Sequence, residues 1–337
     1  MQTYQNFIGI DVSKDHLDIA LLQEGELVNH KRIDNNLKAI TAYLSSFQDL
    51  YEIRESLFCM EHTGIYINWL LIALSNFNCA IWVENALEIK HSGGVTRGKN
   101  DKVDAERIAT YAFRFQDKAN LYCPPSEQLE ALKTLQTLRK TLVAHKQELE
   151  TYVNEQSKFS KTSTQKLIEE NSKSTLEHLT LRIEQIEKEM NQIIKDDPHL
   201  KELYRLTTSV TGVGKVTAIQ LLVATDGFTK FDTAKQLACY CGVVPFENSS
   251  GKFKGKSRVS KMANKTLKTA LHMCALSALQ VEGELRTYYL RKVAEGKNKM
   301  SVINALRNKI IQRIFACVKN KILYDKNGIN FNNFSKG

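Results

Sequence analysis

The sequence predicts an α/β domain with a mixed sheet at the N-terminal end. A middle pair of long amphipathic helices follows, then a mostly α C-terminal part with a helix-hairpin-helix-like element. Three observations predict this. Short β-rich apolar runs open the chain and then alternate with helical patterns as far as Pro124-Pro125, the alternation that builds α/β layers. Beyond the prolines, leucines recur at threes and fours between charges, the spacing of an amphipathic helix face. From residue 200 a G-V-G turn and a dense basic stretch interrupt further helical patterns. We expect domains over 1–125, 126–197 and 198–325.

In order, FIGIDV (7–12) and LDIALL (17–22) are apolar runs separated by the polar SKDH, with a third candidate strand at 27–33. Together they predict an antiparallel meander. LKAITAYLSSF then reads as a helix, ESLFCME as a strand, GIYINWLLIALSNF as a helix and CAIWVE as a strand, and GKNDKVDAERIATY starts a further helix. Leu129, Leu132, Leu135, Leu138 and Leu142 form one later stripe, and Leu176, Leu179, Ile183, Ile186, Met190 and Ile193 another. Two such helices predict a coiled coil, and SKFSKTSTQK between them reads as a loop or a break. In TTSVTGVGKVTAIQLLVA, two short helices meet at Gly212 and Gly214. The amides of such a turn and the helix N-terminus after it can hold a backbone phosphate, although an ordinary turn explains the same letters.

From Lys252 to Lys268 the chain carries seven cations, Lys252, Lys254, Lys256, Arg258, Lys261, Lys265 and Lys268, and no acid. Gly251, Phe253 and Gly255 interrupt this run, which flows into the apolar TLKTALHMCALSAL. It therefore reads as an ordered phosphate-binding loop rather than a solvated tail. Arg258, Lys261 and Asn264 are the best placed there to contact nucleic acid, with Phe253 either stacking or packing. The end, Leu285 to Lys321, reads as helical and basic.

A net charge of +10, from 47 Lys+Arg against 37 Asp+Glu over 337 residues, favours a polyanionic partner. No apolar run reaches the length of a membrane span and the first residues lack signal-peptide features, so a cytoplasmic protein without a membrane partner is expected. Seven cysteines without a C-x-x-C pair fit reduced thiols. Cys239, Cys241, His272 and Cys274 can be drawn as four zinc ligands, but C-x-C and H-x-C do not match common zinc spacings.

Chemistry concentrates in four acids. Asp11 ends the first strand among apolar neighbours, where an unpaired carboxylate is costly, and Glu61 closes the ESLFCME strand in the same way. Asp101 and Asp104, three apart at a helix start, share a face. Brought to one sheet edge, the four would repel without a cation, and hard divalent ions with oxygen ligands are the usual remedy. Two Mg²⁺ ions there could activate a nucleophile and stabilise a leaving oxygen at a phosphodiester. Read without metal, the same acids cap helices and turns. Lys99 and Lys102 flank the aspartates and can contact phosphate.

FIGIDVSKDHLDIAL with Asp11, CMEHTG with Glu61 and KNDKVDAERIA with Asp101 and Asp104 resemble the D-E-D-D signature of one family of insertion-sequence transposases. The N-terminal domain of that family is similar to the RNase H-like RuvC Holliday-junction resolvase. TSVTGVGKVTAIQLL, FDTAKQLACYCGVVPFENSSGKFKGKSRVSKMANKTLKTAL and EGKNKMSVINALRNKII resemble its C-terminal transposase domain. The resemblance implies a site-specific DNA recombinase that excises and inserts a mobile element. By the same likeness, a structured bridge RNA pairs with donor and target DNA, and the enzyme is a homo-oligomer, dimer or tetramer. It also implies a serine of the C-terminal domain that becomes covalently linked to a DNA 5′ phosphate. Ser250 in ENSSGK matches it, with Ser249 as the alternative.

Two rivals stand beside that reading. A metal-dependent endonuclease or junction resolvase would use the four acids with water as nucleophile. A non-catalytic DNA- or RNA-binding relic is the other. An actin-like or sugar-kinase fold needs a Gly/Thr-rich first hairpin, where this chain has SKDH.

Overall fold

The computed structural model describes residues 4–92, 100–246, 249–250, 253–254, 258–259 and 263–325. The chain divides into two compact units, residues 1–124 and 125–337.

The first unit opens with the expected meander: β1 (Asn6–Val12), β2 (His16–Gln23) and β3 (Glu26–Asp34), each antiparallel to the next. Then come α1 (Leu37–Gln48), β4 (Ser56–Glu61), α2 (Asn68–Asn76), β5 (Ala80–Glu84), α3 (Ala86–Ser92) and α4 (Asp101–Arg114). The sheet order is β3-β2-β1-β4-β5. Because β4 runs parallel to both β1 and β5, the sheet is mixed, as the sequence predicts.

The two-residue alternation of a strand sorts side chains onto two faces. Ile8, Ile10, Phe58 and Met60 pack with Ile40, Leu44, Leu70 and Leu74 from α1 and α2. Phe7, Ala20, Cys59 and Trp82 pack on the other face with Ala105, Ile108, Ala109 and Ala112 of α4. Gly9 lies on this second face. A Cβ there would stand 2.2 Å from the Ala105 carbonyl oxygen and the Ala109 nitrogen, so a glycine is what lets α4 lie directly on β1.

The second unit begins with the helix pair α5 (Glu127–Phe159) and α6 (Thr162–Asp196). SKFSKTSTQK, read as a loop or a break, holds the break at Ser160 and Lys161 between the two helices, and its other residues are helical. Ser160 is extended (φ −105°, ψ 157°), and with no Gly or Pro in the segment the helices run up to the break on either side. The pair buries Leu132 against Ile186, Met190 and Ile194, whereas Leu138, placed in the predicted stripe, is 43% exposed.

Then follow α7 (Pro198–Ser209), α8 (Lys215–Ala224) and α9 (Ala234–Tyr240). Two short antiparallel pairs come next, β6 (Pro245–Phe246) with β9 (Arg258–Val259) and β7 (Ser249–Ser250) with β8 (Phe253–Lys254). The chain continues through α10 (Lys265–Leu279), α11 (Glu284–Ala294) and α12 (Lys299–Asn320). Leu206, Leu221, Leu237, Leu271, Leu306 and Ile310 belong to their shared core. Among the described residues no helix is long and apolar enough to cross a membrane.

Candidate active site

The sheet face beneath α4 carries a row of carboxylates at one end. Asp11 on β1 stands directly opposite Asp18 on β2. The β1–β4 register pairs Ile10 with Met60, which brings Glu61 beside Asp11, and Glu61 pairs with Glu84 of β5. Strand alternation turns all four toward the α4 side, two residues beyond Gly9, Ala20, Cys59 and Trp82 respectively. The first turn of α4 adds Asp101 and Asp104. The expected set of Asp11, Glu61, Asp101 and Asp104 is therefore drawn into one electrostatic neighbourhood, with Asp18 as a fifth member.

The capping explanation for the two aspartates gives way to Asn100, which is the N-cap of α4 and accepts from the Lys102 amide. What the aspartates hold instead is arginine. Arg32 of β3 spans two elements, with Nη2 at 2.7 Å from Asp18 Oδ2 and 2.9 Å from Asp101 Oδ2. Its Nε also donates to Asp18 at 2.9 Å. His30 Nε2 lies 3.1 Å from Asp18, and Arg107 Nη2 lies 2.9 Å from Asp104 Oδ1.

Asp11 is the acid under stress. Partial burial, then the charges of Asp104, Asp101, Glu61 and Asp18, push its carboxyl up to about 6. Burial also raises Glu61, with Asp104 adding to the rise and Arg107 opposing it. A group of oxygen donors whose burial and mutual repulsion raise the Asp11 carboxyl to about 6 fits a divalent cation. Among the described residues, His16, Asp18 and Asp101 present ligand atoms that all lie within 4.8 Å of one another.

Sequence reasoning missed Asp18, Glu84, His16, Arg32 and Arg107. The signal for Asp18 was present: the short SKDH connection pairs Val12 with Leu17, which makes position 18 the partner of position 11.

The expected nucleic-acid contacts fare unevenly. Lys102 is exposed in the first turn of α4. Lys99, Lys252, Lys256 and Lys261 lie outside the described residues, and for Ser249, Ser250, Phe253, Lys254 and Arg258 only the backbone is described. Gly212 (φ +89°) is a packing glycine, since a Cβ would meet the Cys274 carbonyl oxygen at 2.3 Å. Gly214 is open and is the N-cap of α8. Asn264, expected to face nucleic acid, has its side chain taken up inside the fold. It caps α10 by accepting from the Leu267 amide and donates to Tyr240 Oη at 3.1 Å.

Two sequence models match the chain. One, described as "Transposase IS116/IS110/IS902 family", matches residues 204–290, and the other, a DEDD transposase of the IS110 type, matches residues 8–156. The chain is 25% identical over 329 residues to the pilin gene-inverting protein of Moraxella bovis, across 96% of this chain and 98% of that protein. It is 31% identical over 140 residues to the insertion element IS110 uncharacterized 43.6 kDa protein of Streptomyces coelicolor, across 42% of this chain and 34% of that protein. The structure of T. thermophilus RuvC in complex with a Holliday junction substrate aligns with 35% of this chain and all of its own at 12% identity and a TM-score of 0.29.

Proposed function

The chain belongs to the IS110 family of transposases, and from that premise we propose that it excises and inserts an insertion sequence by RNA-guided, Mg²⁺-dependent strand exchange through a covalent serine–DNA intermediate. The observation that carries this reading is Asp11, raised by partial burial and then by Asp104, Asp101, Glu61 and Asp18 at one end of the sheet.

In this reading Asp11, Glu61, Asp101 and Asp104 would hold two divalent ions. Bound there, the ions would neutralise the row and supply charge stabilisation at the phosphodiester oxygens. The chain's own contribution is placement. Strands β1 and β4 fix Asp11 and Glu61, while Gly9 and Arg32 keep the first turn of α4 against them.

Ser250, contributed by another protomer of a dimer or tetramer, is the nucleophile. Its Oγ–P bond forms and the P–O3′ bond breaks. The hydroxyl proton passes by way of a carboxylate of the row to the departing DNA 3′ oxygen, leaving a 3′ hydroxyl that can later reverse the step. The Moraxella bovis relative is named for inverting a gene, and inversion likewise requires that broken strands be rejoined. Donor and target DNA would be chosen by a structured bridge RNA, with Lys99, Lys102 and the cations from Lys252 to Lys261 meeting backbone phosphates.

The test is incubation with Mg²⁺, cognate RNA and DNA, followed by denaturing electrophoresis for a protein–DNA adduct. The adduct is expected for the wild type and is lost in Asp11→Ala and in Ser250→Ala, with Ser249→Ala run in parallel. Cleavage that persists without adduct in both serine variants replaces the reading with a nuclease or junction resolvase that uses water.

A further inference from the structure

Helices α10 and α12 meet through a buried cation that has no countercharge among the described residues. Arg307 of α12 is only 8% exposed, and its Nη2 donates to His272 Nδ1 of α10 at 2.6 Å. Its Nε is buried without a hydrogen-bond partner. Among the described residues no carboxylate pairs with Arg307, whereas Arg313, on the same helix, has Glu284 at 2.6 Å. Burying a guanidinium without an anion is costly, and burial depresses its pKa.

The pair fixes a tautomer. Arginine has no acceptor, so Nδ1 of His272 must carry the lone pair and the ring proton must sit on Nε2. Burial and the Arg307 charge lower the imidazole's pKa further, which keeps the ring neutral. The partly exposed ring edge is therefore a donor only.

Cations lie along the helix that carries that edge. Lys268 lies one turn earlier on the same face of α10, and Lys265 opens the helix. Lys140 of α5 reaches Thr266 Oγ1 at 3.4 Å. Lysines in a first turn stand at the positive end of the helix dipole, the unfavourable sign for the isolated protein. Between Asp232 and Glu282 the sequence holds one acid, Glu247, against eight cations.

We propose that Lys265, Lys268 and His272 form a phosphate-binding site for a nucleic-acid backbone, with Arg307 as the positioning residue that fixes His272 as an Nε2 donor. The site is built entirely within the second unit, so loss of strand cleavage in an Asp11 variant leaves it intact.

The test is fluorescence anisotropy of the full chain with a DNA duplex and, separately, with a structured RNA hairpin, across a KCl series. Lys268→Gln is expected to weaken binding and to flatten the salt dependence by about 0.9 in log–log slope, one phosphate's worth of released counterion. His272→Phe is expected to weaken binding about tenfold with the slope unchanged, because a neutral donor releases no ion. His272→Gln, which keeps an N–H at the same reach, is expected to stay within about threefold of wild type. Because Arg307→Met removes a buried residue, Arg307 is read instead through histidine ¹⁵N resonances, which should report the Nε2–H tautomer and move when nucleic acid is added. Weakening with either DNA or RNA supports the site and identifies its ligand. If Lys268→Gln and His272→Phe both melt like wild type and bind both probes with wild-type affinity and slope, the proposal is overturned.

Discussion

Asp11 and Asp18 are direct partners across the antiparallel β1–β2 pair, yet only one of them is neutralised. Asp18 is held by His30 and Arg32. Asp11 has no cationic partner among the described residues, and partial burial and then its neighbours' charges push its carboxyl up to about 6. Like charges directly opposite on a sheet are destabilising, so the fold keeps at Asp11 an anion that it has not itself balanced.

Removing that anion should stabilise the protein while ending its chemistry. The folded-state value of about 6 lies above the ordinary 3.8, so the native state binds this proton more tightly than the unfolded chain does. The Asp11 contribution to stability therefore declines as pH rises from about 4 to about 6. Asp11→Asn is expected to be more stable than wild type above pH 6. The gain is on the order of 1–2 kcal/mol, after discounting a half-exposed site for solvent screening, and it vanishes near pH 4. Thermal melts in EDTA at pH 4 and pH 7.5 measure it, and equal or lower stability of the variant at pH 7.5 contradicts the assignment. Adduct formation should be lost in the same variant.

How much of this was legible follows from what each residue depends on. Asp11 and Glu61 could be read because each closes an apolar strand pattern, and α4 because acids crowd a helix start. Asp18 could not be read from pattern alone: in LDIALL it is one polar letter, and its meaning comes from pairing register. Arg32 lies on the largely exposed β3, where cations ordinarily mean solvent, and its reach to Asp101 is a tertiary fact 69 residues away in sequence. The helical reading of SKFSKTSTQK needed the α5–α6 pairing, since Ser and Thr alone favour a loop.

Gly9→Ala should dismantle the site from beneath. The added methyl would stand 2.2 Å from backbone atoms of Ala105 and Ala109, which cannot swing aside as a side chain can. α4 must lift, carrying Asp101 and Asp104 away from Asp11. A loss of about 3 kcal/mol or more is expected in chemical denaturation, at the upper end of overpacking. A variant with wild-type stability and activity would mean that α4 does not lie this close.

Arg32 should be needed for its fork as well as its charge. It chelates Asp18 and extends to Asp101, a planar geometry that lysine cannot copy. Arg32→Gln is expected to lower strand-cleavage activity strongly, and Arg32→Lys to restore only part of it. A requirement for charge alone predicts full recovery with lysine. Circular dichroism at each step separates loss of activity from loss of fold.

The two glycines of the G-V-G turn should respond oppositely to the same substitution. Gly212 adopts φ +89°, and a Cβ there would meet the Cys274 carbonyl oxygen at 2.3 Å and the Ala278 Cβ at 2.9 Å. Alanine therefore faces a left-handed backbone and a collision with α10 together, and about 3 kcal/mol or more should be lost. Gly214 has open space around its Cβ position and an extended backbone as the α8 N-cap, so alanine should cost under about 1 kcal/mol there. Denaturant titration of both variants checks the stability contrast, and DNA affinity of the stable Gly214→Ala protein separates packing from binding. Weakened affinity in that variant assigns the turn a phosphate contact; unchanged affinity leaves G-V-G as a turn whose Gly212 packs against α10.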